Sequence, residues 1–215
     1  MNENDIAAYL GNHPEFFNEH AELLAGISLS NPHGGAAVSL GERQVGVLRD
    51  KQRLLETKMA ELLRFGEEND AIGEKVHRLG VALIAARDFA NVVHIIYSQL
   101  GIGFSVPHVA LRMWGIGSGS DPEFSPVSDA VKRMSENLTS PYCGFGTSEE
   151  SLQWFGERGG HIRSMAQIPL RSNGTCLGLL VLASEEAERF YPDMGVLYLE
   201  RIGEMTSAVL QRVLD

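Results

Sequence analysis

The sequence holds 215 residues, 44% of them hydrophobic, with 18 basic and 28 acidic side chains and a net charge of −10. That is enough apolar material for a packed core, which excludes a chain disordered throughout. Residues 41–79 carry eight basic and eight acidic side chains, so the whole acidic excess lies elsewhere; a remainder of this sign without a Lys/Arg cluster argues against direct nucleic-acid binding.

Two cysteines, Cys143 and Cys176, stand in no CxxC or Cys/His ligand spacing, which fits a reducing cytoplasm. The opening MNENDIAAYLGNHPEFF lacks the basic start and apolar core of a secretory signal, and no stretch approaches the roughly 20 apolar residues that span a bilayer. A cytoplasmic protein without a membrane segment is expected.

In chain order, residues 5–29 predict two short helices broken at His13-Pro14, because proline is excluded from a helix interior and pushes the residue before it toward extended geometry. Ile6, Tyr9 and Leu10 share one face. Phe16, Phe17, Leu23 and Leu24 give the second piece an apolar side too large for an isolated arm, so docking on the long helix that follows, or on its dimer mate, is expected. His13 and His20 have no carboxylate pattern beside them and read as surface or capping groups rather than metal ligands. Asn31-Pro-His-Gly-Gly35 reads as a hinge.

Ser39 supplies an N-cap oxygen, and Glu42 three residues on completes a capping box for a long helix over 39–86. Apolar positions at Val45, Leu48, Leu55, Met59 and Leu62, with Gln52 in the missing place, alternate in steps of three and four, the spacing of a coiled-coil seam. Asp50/Arg53, Lys58/Glu61, Glu61/Arg64 and Glu74/Arg78 are pairs on its solvated flanks. The seam continues as Phe65, Asn69, Ile72, Val76, Leu79, Leu83 and Ala86. The step from Leu62 to Phe65 is three where four is due, so the stripe skips and the helix changes partner there, with Gly66 and Gly73 adding local weakness. A continuous helix would span roughly 70 Å at 1.5 Å per residue, so much of it packs outside its own globule. This points to a homodimer joined through Val45, Leu48, Leu55, Met59 and Leu62; an intramolecular hairpin with the N-terminal arm is the alternative. Asn69 either fixes register in such a dimer or sits at a wet gap.

Asp88 then caps a second helix over 89–104, with Phe89, Val92, Val93, Ile96, Tyr97 and Leu100 on one face, His94 outside, and Gly101 and Gly103 as stop signals. Residues 108–114 alternate as a strand. Val109, Leu111 and Met113 point to the core; Ala110, Arg112 and Trp114 form a second face that either borders a ligand cavity or is covered by a helix. Residues 115–126 read as loop without the GxxxxGK[ST] phosphate pattern, and 128–138 as a helix. Residues 139–146 read as irregular, with Cys143 the one thiol whose setting could be accessible, and Ser148 or Ser151 caps a short helix, SEESLQWF. Ala166, Ile168 and Leu170 alternate in a strand over 164–171, Asn173-Gly174 turns it, and CLGLLVLAS returns as an apolar run. This hairpin should be the centre of the sheet, with Cys176 a packing group. A closing helix over 194–214, striped by Tyr198, Ile202, Met205, Val209 and Val213, lies on the sheet or beside residues 69–86.

The order of a helix into a helix, a strand, an irregular helical middle, Ile168-Pro169-Leu170, the turn, Leu177-Gly178-Leu179-Leu180-Val181-Leu182, Phe190 after an acidic loop and a closing helix resembles the C-terminal half of a GAF domain. It covers about residues 76–215. The arm IAAYLGNHPEFFNEHAELL, Gly34-Gly35 with Val38-Ser39-Leu40, and Glu42-Arg43-Gln44 before Leu48-Arg49 are similar to the bacterial family catalogued as domain of unknown function 484, and with it the match extends over essentially the whole chain. The resemblance implies an α+β fold: a GAF-like antiparallel sheet flanked by helices (76–215), preceded by a helical arm (1–38) and a long coiled-coil-type dimerisation helix (39–75). It brings no established activity.

GAF domains often bind small molecules between the sheet and the helical middle, and often pair through their first and last helices. By position, the residues facing such a cavity are Arg112, Trp114, Tyr142, Phe145, Trp154, His161 and Gln167. The Asn-Lys-x-Phe-Asp-Glu set of the cyclic-nucleotide binders is missing, and Cys143 is followed by Gly144 rather than by the His that follows a bilin-linking Cys. The expected function is a non-catalytic homodimeric sensory or adaptor module for signalling, acting through a small-molecule ligand or a separate protein output partner, with no cofactor assigned. Two alternatives stand beside it. One is a cysteine-dependent redox enzyme of the free methionine sulfoxide reductase type, with Cys143 as nucleophile but partner spacing unlike that branch; the other is a structural scaffold with an occluded cavity.

Overall fold

A computed structural model describes residues 2–26, 28–29, 38–145 and 148–214, without the side chains of 24–26, 28–29, 38–40 and 42. The turn cluster at 31–35 and the Ser39/Glu42 capping box lie outside the described residues. The chain divides into two compact units, Met1–Glu67 and Glu68–Asp215, and the division falls inside one long helix.

In the first unit, the arm forms three helices, α1 (Glu3–Asn12), α2 (Phe16–Glu19) and α3 (Ala21–Gly26), where the sequence suggested two. His20 interrupts the second piece. Asn2 and Asp5 make a capping box at α1, with the Asn2 side chain accepting from the Asp5 N–H at 2.8 Å and Asp5 accepting from the Asn2 N–H at 2.9 Å. His13 Nδ1 lies 3.0 Å from the Tyr9 carbonyl and its ring stacks on Tyr9. A two-residue antiparallel ribbon, β1 (Ser28–Leu29) with β2 (Val38–Ser39), leads into α4 (Leu40–Ala85), which runs unbroken through Gly66 and Gly73. The flanking ion pairs Asp50–Arg53, Glu61–Lys58 and Glu74–Arg78 form at 3.9, 3.0 and 3.7 Å.

The second unit is an α+β fold with a four-stranded, wholly antiparallel sheet in the order β3-β6-β5-β4. Its strands are β3 (His108–Met113), β4 (Tyr142–Gly144), β5 (Ser164–Ser172) and β6 (Thr175–Ser184). The hairpin of β5 and β6 is central. Asn173 and Gly174 both take positive φ, 50° and 82°, as a tight two-residue turn requires. β4 is a correction: residues 142–144 pair with β5, and three residues are too few to show an alternation.

Helices cover both faces, which is why β6 is buried along nearly its whole length. One face, with Leu111, Ile168, Leu180 and Leu182, packs against Val76, Leu79 and Leu83 of α4, against α5 (Phe89–Ser98) and against α8 (Leu197–Leu214). α5 is capped by Asp88, whose side chain accepts from the Asn91 N–H at 2.8 Å, and at Gly101 and Gly103 it widens into a π turn. The other face receives α6 (Asp129–Asn137) and α7 (Glu149–Gln153). Ser151, offered as a cap of α7, instead lies buried inside it.

α8 lies on the sheet and beside α4 at once. Gly203 admits Ile168 so closely that a Cβ would stand 2.7 Å from its methyl carbon. Arg212 closes the carbonyl end of α4, reaching Ile84, Leu83 and Ala86 at 3.1, 3.3 and 2.7 Å. Arg171 does the same for α6 through the carbonyls of Ser135, Glu136 and Leu138. We predict that Gly203→Leu lowers stability by about 1–3 kcal/mol through overpacking, read as a lower urea midpoint in tryptophan fluorescence. Gly160→Ala, whose Cβ meets open space, should leave the midpoint in place.

Candidate functional site

Strand alternation brings Arg112, Tyr142 and Gln167 to the sheet face under α6 and α7, with Arg112 paired to Leu179 and Tyr142 to Gln167. The Arg112 guanidinium lies 5.1 Å from the Trp154 ring, so its aromatic partner is across the face rather than the neighbouring Trp114. Trp114 and Trp154 pack with Phe155 onto Met165, Leu179 and Val181. Gln167 is buried, its Nε2 3.6 Å from the Met165 sulfur. Thus Arg112, Trp114, Tyr142, Trp154 and Gln167 converge, whereas Phe145 and His161 are exposed. None of the seven lines the two cavities described next.

The larger opening is at the other face. A cavity of about 400 Å³ lies among α4, the turn after α5, β6 and the start of α8. Leu100, Leu182, Phe190 and Ile202, all buried, form its floor. Lys75 and Arg189 stand at its rim. Arg189 donates to the Phe104 carbonyl at 2.7 Å, and Lys75 Nζ lies 5.8 Å from the centre of the Phe104 ring. The Tyr198 hydroxyl donates to the Asn69 carbonyl at 2.9 Å. Gly73 allows this: a Cβ there would come within 3.3 Å of that hydroxyl. Asn69 therefore serves here through its backbone.

A second cavity, of about 350 Å³, opens beside α5 and has the opposite character, with Asp121 and Glu123 in its wall. Tyr97 donates to Glu123 at 3.0 Å and accepts from the Leu111 N–H at 3.3 Å; burial and the nearby Glu123 charge push its hydroxyl up to about 12. Sequence reading missed Lys75, Arg189 and Tyr198. One signal was available, Arg189 being the lone cation in the acidic loop EEAER.

Cys143, expected to be the accessible thiol, is 4% exposed, because alternation along β4 turns it to the core side opposite Tyr142. Burial pushes its pKa up to about 11, and burial also raises Cys176. Among the described residues no group of three His, Cys, Asp or Glu is placed to hold a metal, and no helix is long and apolar enough to cross a membrane. The raised thiol has a consequence for pH. Below pH 9 both folded and unfolded chains keep the Cys143 proton, and between 9 and 11 the unfolded chain loses it first, so stability falls as pH rises through that window. We expect a loss of at most about 2–3 kcal/mol from this group, measured as urea midpoints across the window, with a shallower fall in Cys143→Ala.

Residues 1–215 match the family described as "Protein of unknown function, DUF484". The chain is also similar to "Uncharacterized protein YigA" of Salmonella typhimurium, 23% identical over 223 residues that cover 99% of this chain and 92% of that protein. Arm, long helix and globular unit all fall within the matched span, and the chain belongs to the DUF484 family of proteins of unknown function.

Proposed function

We propose that the protein is a non-catalytic homodimeric sensory or adaptor module, in which the first half of α4 pairs two copies and a ligand or protein partner at the globular unit biases that pairing. The double character of α4 carries this reading. Leu48, Leu55, Met59 and Leu62 are 64–69% exposed, whereas Leu79 and Leu83 of the same helix are wholly buried. Val47 and Leu54, also exposed, widen the stripe. Covering such a surface with a second copy removes apolar area from water at about 25 cal/mol per Å².

In this reading residues 1–38 are an arm that docks on the paired helices, 39–75 the dimerisation segment and 76–215 a GAF-like sensor, acting in the cytoplasm on a separate output protein. Burial supports the non-catalytic half, since a redox nucleophile needs a thiolate and both thiols are held protonated. The rim cations of the larger cavity favour a bound ligand over a purely structural scaffold.

Light scattering at micromolar concentration tests the pairing. The wild type should show twice its 23.5 kDa chain mass. Leu55→Asp should show one chain mass with an unchanged unfolding midpoint of the globular unit. A wild type that is a strict monomer would overturn the proposal.

A further inference from the structure

We infer that the 400 Å³ cavity beside α4 binds a small amphiphilic organic anion, a carboxylate carried on a compact apolar body, with the carboxylate held between Lys75 and Arg189. The inference rests on the ligand-responsive reading above and names the ligand's chemistry.

The cavity's volume is at the small end of the range of about 300–1,000 Å³ typical of ligand pockets. Its floor offers aliphatic and aromatic carbon with no charged group, so the body of the ligand is apolar. Its wall contains two cations and no carboxylate. Neither of these cations forms an ion pair among the described residues, in a chain with 28 acidic and 18 basic side chains. Arg78 and Lys58 on the same helix do find carboxylates. Arg189 spends one donor on the Phe104 carbonyl, which fixes its position and leaves the rest of its fork for an incoming anion; Lys75 sits over the ring of the same Phe104. An apolar floor beside two cations suits a carboxylate carried on an apolar body better than a bare phosphate. Lys75 belongs to α4, so a carboxylate shared with Arg189 bears directly on that helix.

The test is calorimetric titration of the full chain with 1-naphthoate, decanoate and phenylacetate, with 1-naphthalenemethanol as the uncharged counterpart and inorganic phosphate as the bare anion. At least one carboxylate should bind once per chain, about tenfold tighter than the alcohol, and Lys75→Gln and Arg189→Gln should each weaken it by about tenfold while leaving the alcohol unchanged. Both side chains are partly or fully exposed, so the variants should fold. The inference is overturned if all three carboxylates fail to bind at millimolar concentration, if the alcohol binds as tightly, if neither substitution matters, or if phosphate alone displaces the ligand at equal concentration. Light scattering of the wild type with and without saturating carboxylate separates the two proposals: anion binding without any effect on association sinks the sensory reading alone, whereas intact pairing without anion binding sinks this inference alone.

Discussion

The seating of the last turns of α4 in the globular core is the constraint on which the rest of the structure depends. Leu79 and Leu83 are fully buried there, and three guanidinium contacts from Arg212 satisfy carbonyls that a helix end otherwise leaves without partners. The Tyr198 hydroxyl holds the Asn69 carbonyl farther up. A helix fixed this firmly at one end cannot slide or rotate about its axis without breaking a capped end and a packed core. The exposed stripe from Val45 to Leu62 is carried on the same continuous element.

The sheet explains where open volume lies. Both faces are covered, and the face under α6 and α7 is occupied by Trp114, Trp154, Phe155 and Met165, with Arg112 lying against an indole. Close packing of that kind leaves little volume for a guest. On the opposite face, Gly203 brings α8 close to Ile168 of the sheet and Gly73 of α4 admits Tyr198 of α8, and the cavity there carries Lys75 and Arg189 in its wall. The difference in open volume between the two faces therefore follows from side-chain volume.

Much of this was legible in the sequence. A helix of many turns repeats its signal, so the seam of α4 and its flanking ion pairs could be read residue by residue, and Asn173-Gly174 marked the central hairpin through its need for positive φ. The α+β class followed from the order of elements, and the family from the arm and the residues between Gly34 and Arg49. β4 was missed because three residues carry no period, and with it the burial of Cys143, which depends only on which side of that strand the thiol points. The larger cavity was missed for a different reason. Its walls join positions such as Asn69 and Tyr198, 129 apart in the chain, and nothing local announces that Lys75 and Arg189 share Phe104. Gly73 was visible as a soft point of the helix, but its use as a seat for Tyr198 becomes evident only in three dimensions.

The central claim is that one helix serves as core at its C-terminal end and as a partner surface upstream. Amide hydrogen exchange of the wild-type chain over a series of protein concentrations tests it most directly. Amides of residues 76–85 should be strongly protected at every concentration, and those of 45–62 should gain protection as concentration rises through the range of association. Equal protection of both segments with no dependence on concentration would contradict the account.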